Sequence, residues 1–393
     1  MKIPENEFKT RTEALREYLL SINVDGVILF DNYYILYYCG FAFIPTERPI
    51  AFVMNVDGEQ ALYVPYLEKD HAESKLTIDR VHHYQEYPDN LHPIDGLLSL
   101  MKEMGIRRSF CSDKDGYPLI FGYRGPTLTA LTGIKPLEIS DFIEKKMAIK
   151  SPTEILLIKE SSKWGNLAHT LLQRYTRPGI TETDASLRAS TEATRCMLDA
   201  IGPIYQSQSA FESGAHAGYR GQIGRNASIP HSLAANIVFQ SGDVLVSGAN
   251  APVWGYNSEL ERTMIIGAAN DDQKYLFDHM LVLQETALNA IQPGIPCSEV
   301  DQQVRAYYLK HDLMNYWKHH VGHAIGLRYH EGPFLDLGDH TEIKPGMVFT
   351  VEPGLYAGNI GGFRHSDTVL VNEEGIEFLT YYPRNLESLT IPI

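Results

Sequence analysis

The chain has 393 residues, 44% of them hydrophobic and 21% charged, with a formal net charge of −15, the profile of a soluble globular protein with room for two domains. The acidic excess excludes nucleic acid and an anionic membrane surface as partners. Cys39, Cys111, Cys196 and Cys297 have neither metal-ligand nor disulfide-framework spacing, the first twenty residues do not read as a signal peptide, and no apolar run approaches the roughly 18 residues of a membrane span, so a cytoplasmic protein is expected.

Residues from Glu5 to Ile22 read as an amphipathic helix. Short apolar strands are then predicted at Asp25–Phe30, Tyr33–Cys39, Pro49–Asn55 and Gln60–Pro65, followed by helices near Leu67–Leu76 and Pro93–Glu103 and strands around Ser109 and Lys135–Glu138. Strands alternating with helices predict an α/β domain with a mixed sheet over residues 1–145. No glycine-rich phosphate-binding turn follows any of these strands.

A different pattern occupies 146–393. Long helices are predicted at Phe142–Lys150, Pro152–Tyr175 and Thr181–Asp199. Ser151 serves as N-cap of the second, with Pro152 in its first turn and Glu154 at the third helical position. From Pro203 to Arg364 the chain is rich in Gly, His and aromatic residues, and strands dominate apart from helices at Asp271–Ile291 and Pro296–His311. There is no internal repeat and no low-complexity segment.

Within this second part lies the run Gly255-Tyr256-Asn257-Ser258-Glu259-Leu260-Glu261-Arg262-Thr263. Glu259 and Glu261 stand two apart on a strand-like segment and so face one side. Together with Pro230-His231, Gly322-His323, His330-Glu331-Gly332-Pro333, Glu352-Pro353-Gly354 and Gly361-Gly362-Phe363-Arg364, the run resembles the creatinase / prolidase / aminopeptidase P superfamily, to which methionine aminopeptidase also belongs. The resemblance implies an α/β N-terminal domain and an α+β C-terminal pita-bread domain that holds the active site.

The peptidase branch of that superfamily uses two aspartates, one histidine and two glutamates to hold two metal ions. Here His323 matches the histidine, Glu352 the first glutamate and Glu259 the second aspartate. The first aspartate position falls at Val246 or Ser247 and the last glutamate position at Ser366, so a dinuclear site is not expected. One divalent metal such as Mn or Co on Glu259, His323 and Glu352 remains open, because three ligands plus water make an acceptable site. The creatinase branch works without metal. On that resemblance His231 matches its catalytic histidine and Glu261 and Glu352 its substrate-gripping glutamates, while Arg48 matches an arginine that binds substrate from the partner subunit of a homodimer.

Carboxylates sharing a cavity repel one another and need a metal, a proton or a cationic ligand. The reading taken from the sequence is a metal-independent, creatinase-like hydrolase of a C–N bond in a small zwitterionic metabolite, with no cofactor. His231 acts as general base, Glu261 and Glu352 hold the cationic end, and His323 polarises. Arg48, His330, Glu259, Tyr256 and Arg364 contact substrate. The alternatives are a divergent Xaa-Pro dipeptidase or aminopeptidase with a mononuclear site, and a non-catalytic peptide-binding module of the same fold. A simpler role is open for several of these residues: Glu261 as the ion-pair partner of Arg262, Arg364 or another arginine, and Arg48 as a surface cation.

Overall fold

The computed structural model describes residues 1–75, 77–202, 205–209 and 214–393. Leu76, at the end of one expected helix, and Pro203, at the start of the strand-rich part, lie outside the described residues. The chain forms two units, one built on Lys2–Lys145 and the other on Lys146–Ser207 and residues 214–393.

The first unit is built on a six-stranded mixed sheet of β1 (Gly26–Leu29), β2 (Ala51–Asn55), β3 (Gln60–Pro65), β4 (Arg80–Tyr84), β5 (Cys111–Ser112) and β6 (Leu137–Glu138), in the order β4-β3-β2-β1-β5-β6. The β1–β2 and β2–β3 pairs are antiparallel and the others parallel. Its helices are α1 (Glu5–Ser21), α2 (Asn32–Cys39), α3 (Lys69–Glu73), α4 (Pro93–Glu103) and α5 (Leu128–Thr132), and α6 (Ser140–Ala148) carries the chain into the second unit. On α4, Ile94, Leu97 and Met101 recur at helical spacing and pack with Ile28, Val53 and Phe110 in the core. Each such side chain contributes roughly 1.5–3 kcal/mol on burial.

One expected strand is corrected. Tyr33–Cys39 is helical, not extended, because Asp31 caps α2 by accepting from the backbone N–H of Tyr33 and Tyr34. Gly40 then closes the helix in the left-handed region at φ 70°. The apolar run gives no period that separates a buried helix from a buried strand.

In the second unit α7 (Pro152–Tyr175) begins at Ser151 with a reciprocal capping box to Glu154. It is followed by α8 (Glu182–Ile201), α9 (Asp271–Ala290) and α10 (Cys297–Lys310). One sheet joins β7 (His216–Gly218), β8 (Val244–Asn250), β9 (Leu260–Ile266) and β17 (Thr390–Ile391) in the order β17-β9-β8-β7. A second joins β10 (Gly322–Ala324), β11 (Glu331–Leu335), β12 (Val348–Val351), β15 (Asp367–Asn372) and β16 (Gly375–Phe378) in the order β11-β10-β12-β15-β16. The hairpin of β13 (Gly354–Ala357) and β14 (Gly361–Arg364) lies between β12 and β15 in sequence. The two sheets are stitched together where Glu261 and Ser366 exchange backbone hydrogen bonds of 3.0 Å in both directions. Among the described residues no helix is long and apolar enough to cross a membrane.

Candidate active site

Three elements bring the site together. Gly322 lets β10 press against β12, since a Cβ there would stand 2.0 Å from the Thr350 carbonyl oxygen. His323, the next residue, is thereby held beside the end of β12, where the Glu352 N–H donates to Val321 O at 2.7 Å. Glu259 enters from the segment leading into β9. Its N–H donates to Thr368 Oγ1 and its carbonyl accepts from the same hydroxyl, both at 2.8 Å.

The ligand atoms of Glu259, His323 and Glu352 all lie within 4.8 Å of one another, and all three side chains are buried. His323 Nδ1 is 3.0 Å from the Ala324 carbonyl. A carbonyl only accepts, so Nδ1 carries the proton there. Nε2 faces the cavity, 3.2 Å from Glu352 Oε1, and has no hydrogen-bond partner among the described residues. A buried ring nitrogen without a partner, flanked by two carboxylates and fixed from behind by a backbone carbonyl, is a donor set suited to one divalent cation.

The protonation states follow from the crowding. Burial pushes the Glu259 carboxyl up to about 8, and the negative charges of Glu352 and Glu261 add to that rise. Burial disfavours the His323 imidazolium, but the adjoining Glu352 carboxylate and the charge of Glu259 outweigh it and raise the ring to about 9. Burial also works against the Glu352 carboxylate, yet His323 and Arg364 hold it well below the usual carboxylate range.

Strand alternation separates the neighbours. Ser366 Oγ donates to Glu259 Oε1 at 2.6 Å, while Asp367 faces away and accepts from Arg262 Nη2 at 2.8 Å. On β8 the Ser247 hydroxyl is taken up by His169 Nε2 at 2.6 Å and by the Arg262 carbonyl at 3.0 Å. The residue opposite Glu261 is Gly248, which offers no ligand. Neither Val246, Ser247 nor Ser366 supplies a carboxylate, so the side chains fit one ion and not a pair.

The structure redistributes several of the expected substrate contacts. Glu261 does not wait for a cationic substrate. Arg364 Nη2 donates to its Oε1 at 2.7 Å, Arg364 Nε pairs with its Oε2, and Arg220 Nη2 lies 3.1 Å from Oε1. This is the ion-pair role, fulfilled by Arg364 rather than by Arg262. Arg364 is therefore a partner of Glu261 and Glu352, buried at 3% exposure, and not a free substrate clamp. The Tyr256 hydroxyl is engaged within the fold, donating to Glu154 Oε1 at 2.6 Å in a buried setting. Arg48, in the first unit, is bound by Glu86 through Nε at 2.6 Å and Nη2 at 3.2 Å, and also pairs with Glu47.

The histidines form a graded set. His330 is exposed, but its ring stacks on His323 with centroids 3.9 Å apart. Partial desolvation of the ring, one face of which is covered by His323, and the His323 charge lower it to about 4. His231 lies on an exposed turn, close enough for its charge to act on His330. His319, which has no resemblance to mark it, is joined to Tyr356 Oη at 2.7 Å, and Tyr356 Oη accepts from Arg364 Nη1 at 3.1 Å. Arg220 and Tyr329 also escaped sequence reasoning. Tyr329 is driven well above its ordinary range, first by burial and then by the Glu259 and Glu261 charges. Tyr329 sits directly before His330, a neighbour signal that could have flagged it. Nothing in the local pattern marks Arg220.

Comparison with known proteins fits this geometry. The description of metallopeptidase family M24 matches residues 157–373, more than half of the chain, and that of the creatinase/prolidase N-terminal domain matches residues 11–112. The Xaa-Pro dipeptidase of Pyrococcus horikoshii is 28% identical over 379 residues, covering 96% of this chain and 98% of that relative. A crystal structure of prolidase from the same organism superposes with a TM-score of 0.80 at 25% identity, covering 96% of this chain and 99% of that one. The dipeptidase PepE of Mycobacterium ulcerans, at 21% identity, shares the fold with a TM-score of 0.82 over 100% of both chains. These matches place the chain in the pita-bread superfamily, with the two-domain architecture expected. They also overturn the metal-free, cofactor-less reading. The family is one of metallopeptidases, and the carboxylates expected to hold a cationic substrate instead meet His323 as a ligand set or are neutralised by Arg364.

Proposed function

The chain belongs to metallopeptidase family M24, and from that membership we propose that it is a peptidase with one divalent metal ion, held by Glu259, His323 and Glu352, acting on short peptides of the Xaa-Pro class. The coarser activity is hydrolysis of a C–N bond. The observation that carries the mononuclear reading is the buried His323 Nε2, which has no hydrogen-bond partner among the described residues and sits among carboxylate oxygens within 4.8 Å. The Xaa-Pro class is taken from the printed names of the relatives in Pyrococcus horikoshii and Pyrococcus furiosus.

When bound, the ion would polarise the scissile carbonyl and lower the pKa of water at neutral pH. The protein's own residues do the remainder. Ser366 holds the Glu259 carboxylate in place through its 2.6 Å hydrogen bond, and the Ala324 carbonyl fixes the His323 ring. Glu352, already ionised, or Glu259 once it has lost its proton can take a proton from water and return it to the departing nitrogen. His330, neutral at pH 7, can donate a hydrogen bond to the substrate carbonyl from its place over His323, with His231 beside it at the exposed edge.

The test is hydrolysis of Xaa-Pro dipeptides by purified protein before chelation, after chelation and after return of Mn(II) or Co(II). Cleavage that is lost and then restored is expected. Full activity in chelator-treated, metal-free protein would sink the reading. So would a metal-loaded protein that binds such peptides without cutting them, the outcome expected of a non-catalytic module.

A further inference from the structure

Glu182 is buried, at 2% exposure, and among the described residues no cation pairs with it. Its hydrogen bonds come from backbone. Oε2 takes the Gly221 N–H at 2.8 Å, and Oε1 takes the Ala235 N–H at 2.7 Å and the Ile237 N–H at 3.4 Å. A carboxylate out of water needs such donors, and hydrogen bonds to a charged acceptor are among the stronger ones. Glu182 is also the first residue of α8, where the helix dipole favours negative charge. The two segments it joins lead to the open edge of the cavity. One is the turn after β7 that carries Arg220, whose Nη2 lies 3.1 Å from Glu261 Oε1 with the side chain 48% exposed. The other is the loop that carries His231, whose charge acts on His330.

The Arg220 turn is strained. Arg220 and Gly221 both lie in the left-handed region, at φ 50° and 73°. A non-glycine residue persists there where its surroundings over-determine the conformation. The turn is also pressed against the other loop, since a Cβ on Gly221 would stand 2.1 Å from the Leu233 carbonyl oxygen. Backbone pairing to the start of α8 secures that loop from Ile237 onward. The Glu182 N–H donates to Ile237 O at 2.9 Å, and the Phe239 N–H donates to Ile180 O at 3.0 Å. The Glu182 carboxylate carries the hold back to Ala235, closer to His231. We propose that Glu182 is a positioning residue. By tying the Gly221 and Ala235 amides to one buried carboxylate, it sets Arg220 and His231 together at the mouth of the site. The consequence for turnover rests on the peptidase reading above, but the tie between the two loops does not.

The experiment compares full-length wild type with Glu182→Ala, both in Mn(II). Hydrogen–deuterium exchange over residues 219–222 and 232–238 is expected to speed up by at least about ten-fold in both segments, because each loses a hydrogen bond to a charged acceptor. Unchanged exchange in either segment overturns the proposal. KM for a Xaa-Pro dipeptide is expected to rise by about ten-fold or more, with Mn(II) affinity within about three-fold of wild type, since no ligand side chain is touched. A folded variant that is less stable but keeps wild-type kcat and KM shows a merely structural role and overturns it. Glu182→Gln, which keeps one acceptor oxygen, is expected to recover part of the KM loss. If Glu182→Ala does not fold, Arg220→Gln decides, because its side chain is nearly half exposed. Its KM is expected to rise by the same order, and an unchanged KM overturns the proposal. A wild type that cleaves nothing defeats the peptidase reading, and the exchange result then decides the proposal alone.

Discussion

His323 presents Nε2 to Glu352 Oε1 at 3.2 Å, with its other nitrogen committed to Ala324 O at 3.0 Å. The ring is thus aimed rather than merely packed. Replacing His323 with alanine removes the only nitrogen from the ligand set and leaves two buried carboxylates facing each other. Calorimetric titration with Mn(II) is expected to show affinity lower by on the order of 100-fold or more, with peptide hydrolysis at background. Wild-type affinity in this variant would place the metal elsewhere.

Loading the site should release protons. Glu259, raised to about 8, and His323, raised to about 9, both hold protons at pH 7 in the metal-free protein and must lose them to act as ligands. About one to two protons per ion are expected at pH 7, and fewer above pH 9, so apparent affinity climbs with pH between those limits. Calorimetry in buffers of different ionisation enthalpy measures the number. Zero release at pH 7 would contradict the assignment.

Asp25 is a stability element of the first unit. Its carboxylate accepts from the Arg108 backbone and side chain at 2.7 Å each and from the Arg107 N–H at 3.0 Å. The Arg108 hydrogen bond, opposed by burial and aided by the backbone donors, lowers it to about 2. A depressed carboxyl stabilises the fold above its unfolded value of about 3.9, and that contribution is lost as pH falls toward 2. Because the Arg108 side chain is 82% exposed, screening reduces the effect to about 1–2 kcal/mol. Asp25→Asn should show that deficit in urea melts at pH 7, narrowing below about pH 4. A deficit independent of pH would show that the charge is not responsible.

Tyr256 separates a structural from a substrate-binding role. Tyr256→Phe removes the donor to Glu154 Oε1 and is expected to cost about 1.5–3 kcal/mol in thermal or urea unfolding, since the acceptor is a buried carboxylate. KM for a dipeptide should stay within about two-fold at a temperature where both proteins are folded. A large rise in KM with unchanged stability would return Tyr256 to the substrate.

Much of this architecture is written locally. The capping box at Ser151 and Glu154 starts α7 where it was expected, because an N-cap and its return hydrogen bond depend on four consecutive residues. Asp31 and Gly40 bounded α2 with equally local signals, yet the apolar run between them carries no period, and it read as a strand. The motifs around Glu259, His323 and Glu352 come together in one cavity, since short strands and tight turns hold each motif to one geometry.

What the sequence by itself determined is the inventory: a two-domain pita-bread chain with these carboxylates and histidines, and without carboxylates at Ser247 and Ser366. Only the tertiary structure decided what each charge is for. Whether Glu261 faces a substrate or an arginine depends on Arg364, which lies 103 positions away in sequence, and on Arg220, 41 positions away on the other side. Buried charges are assigned by whichever partner the fold delivers to within about 3 Å in a low-dielectric interior, and that distance is set by sheet register, not by sequence spacing.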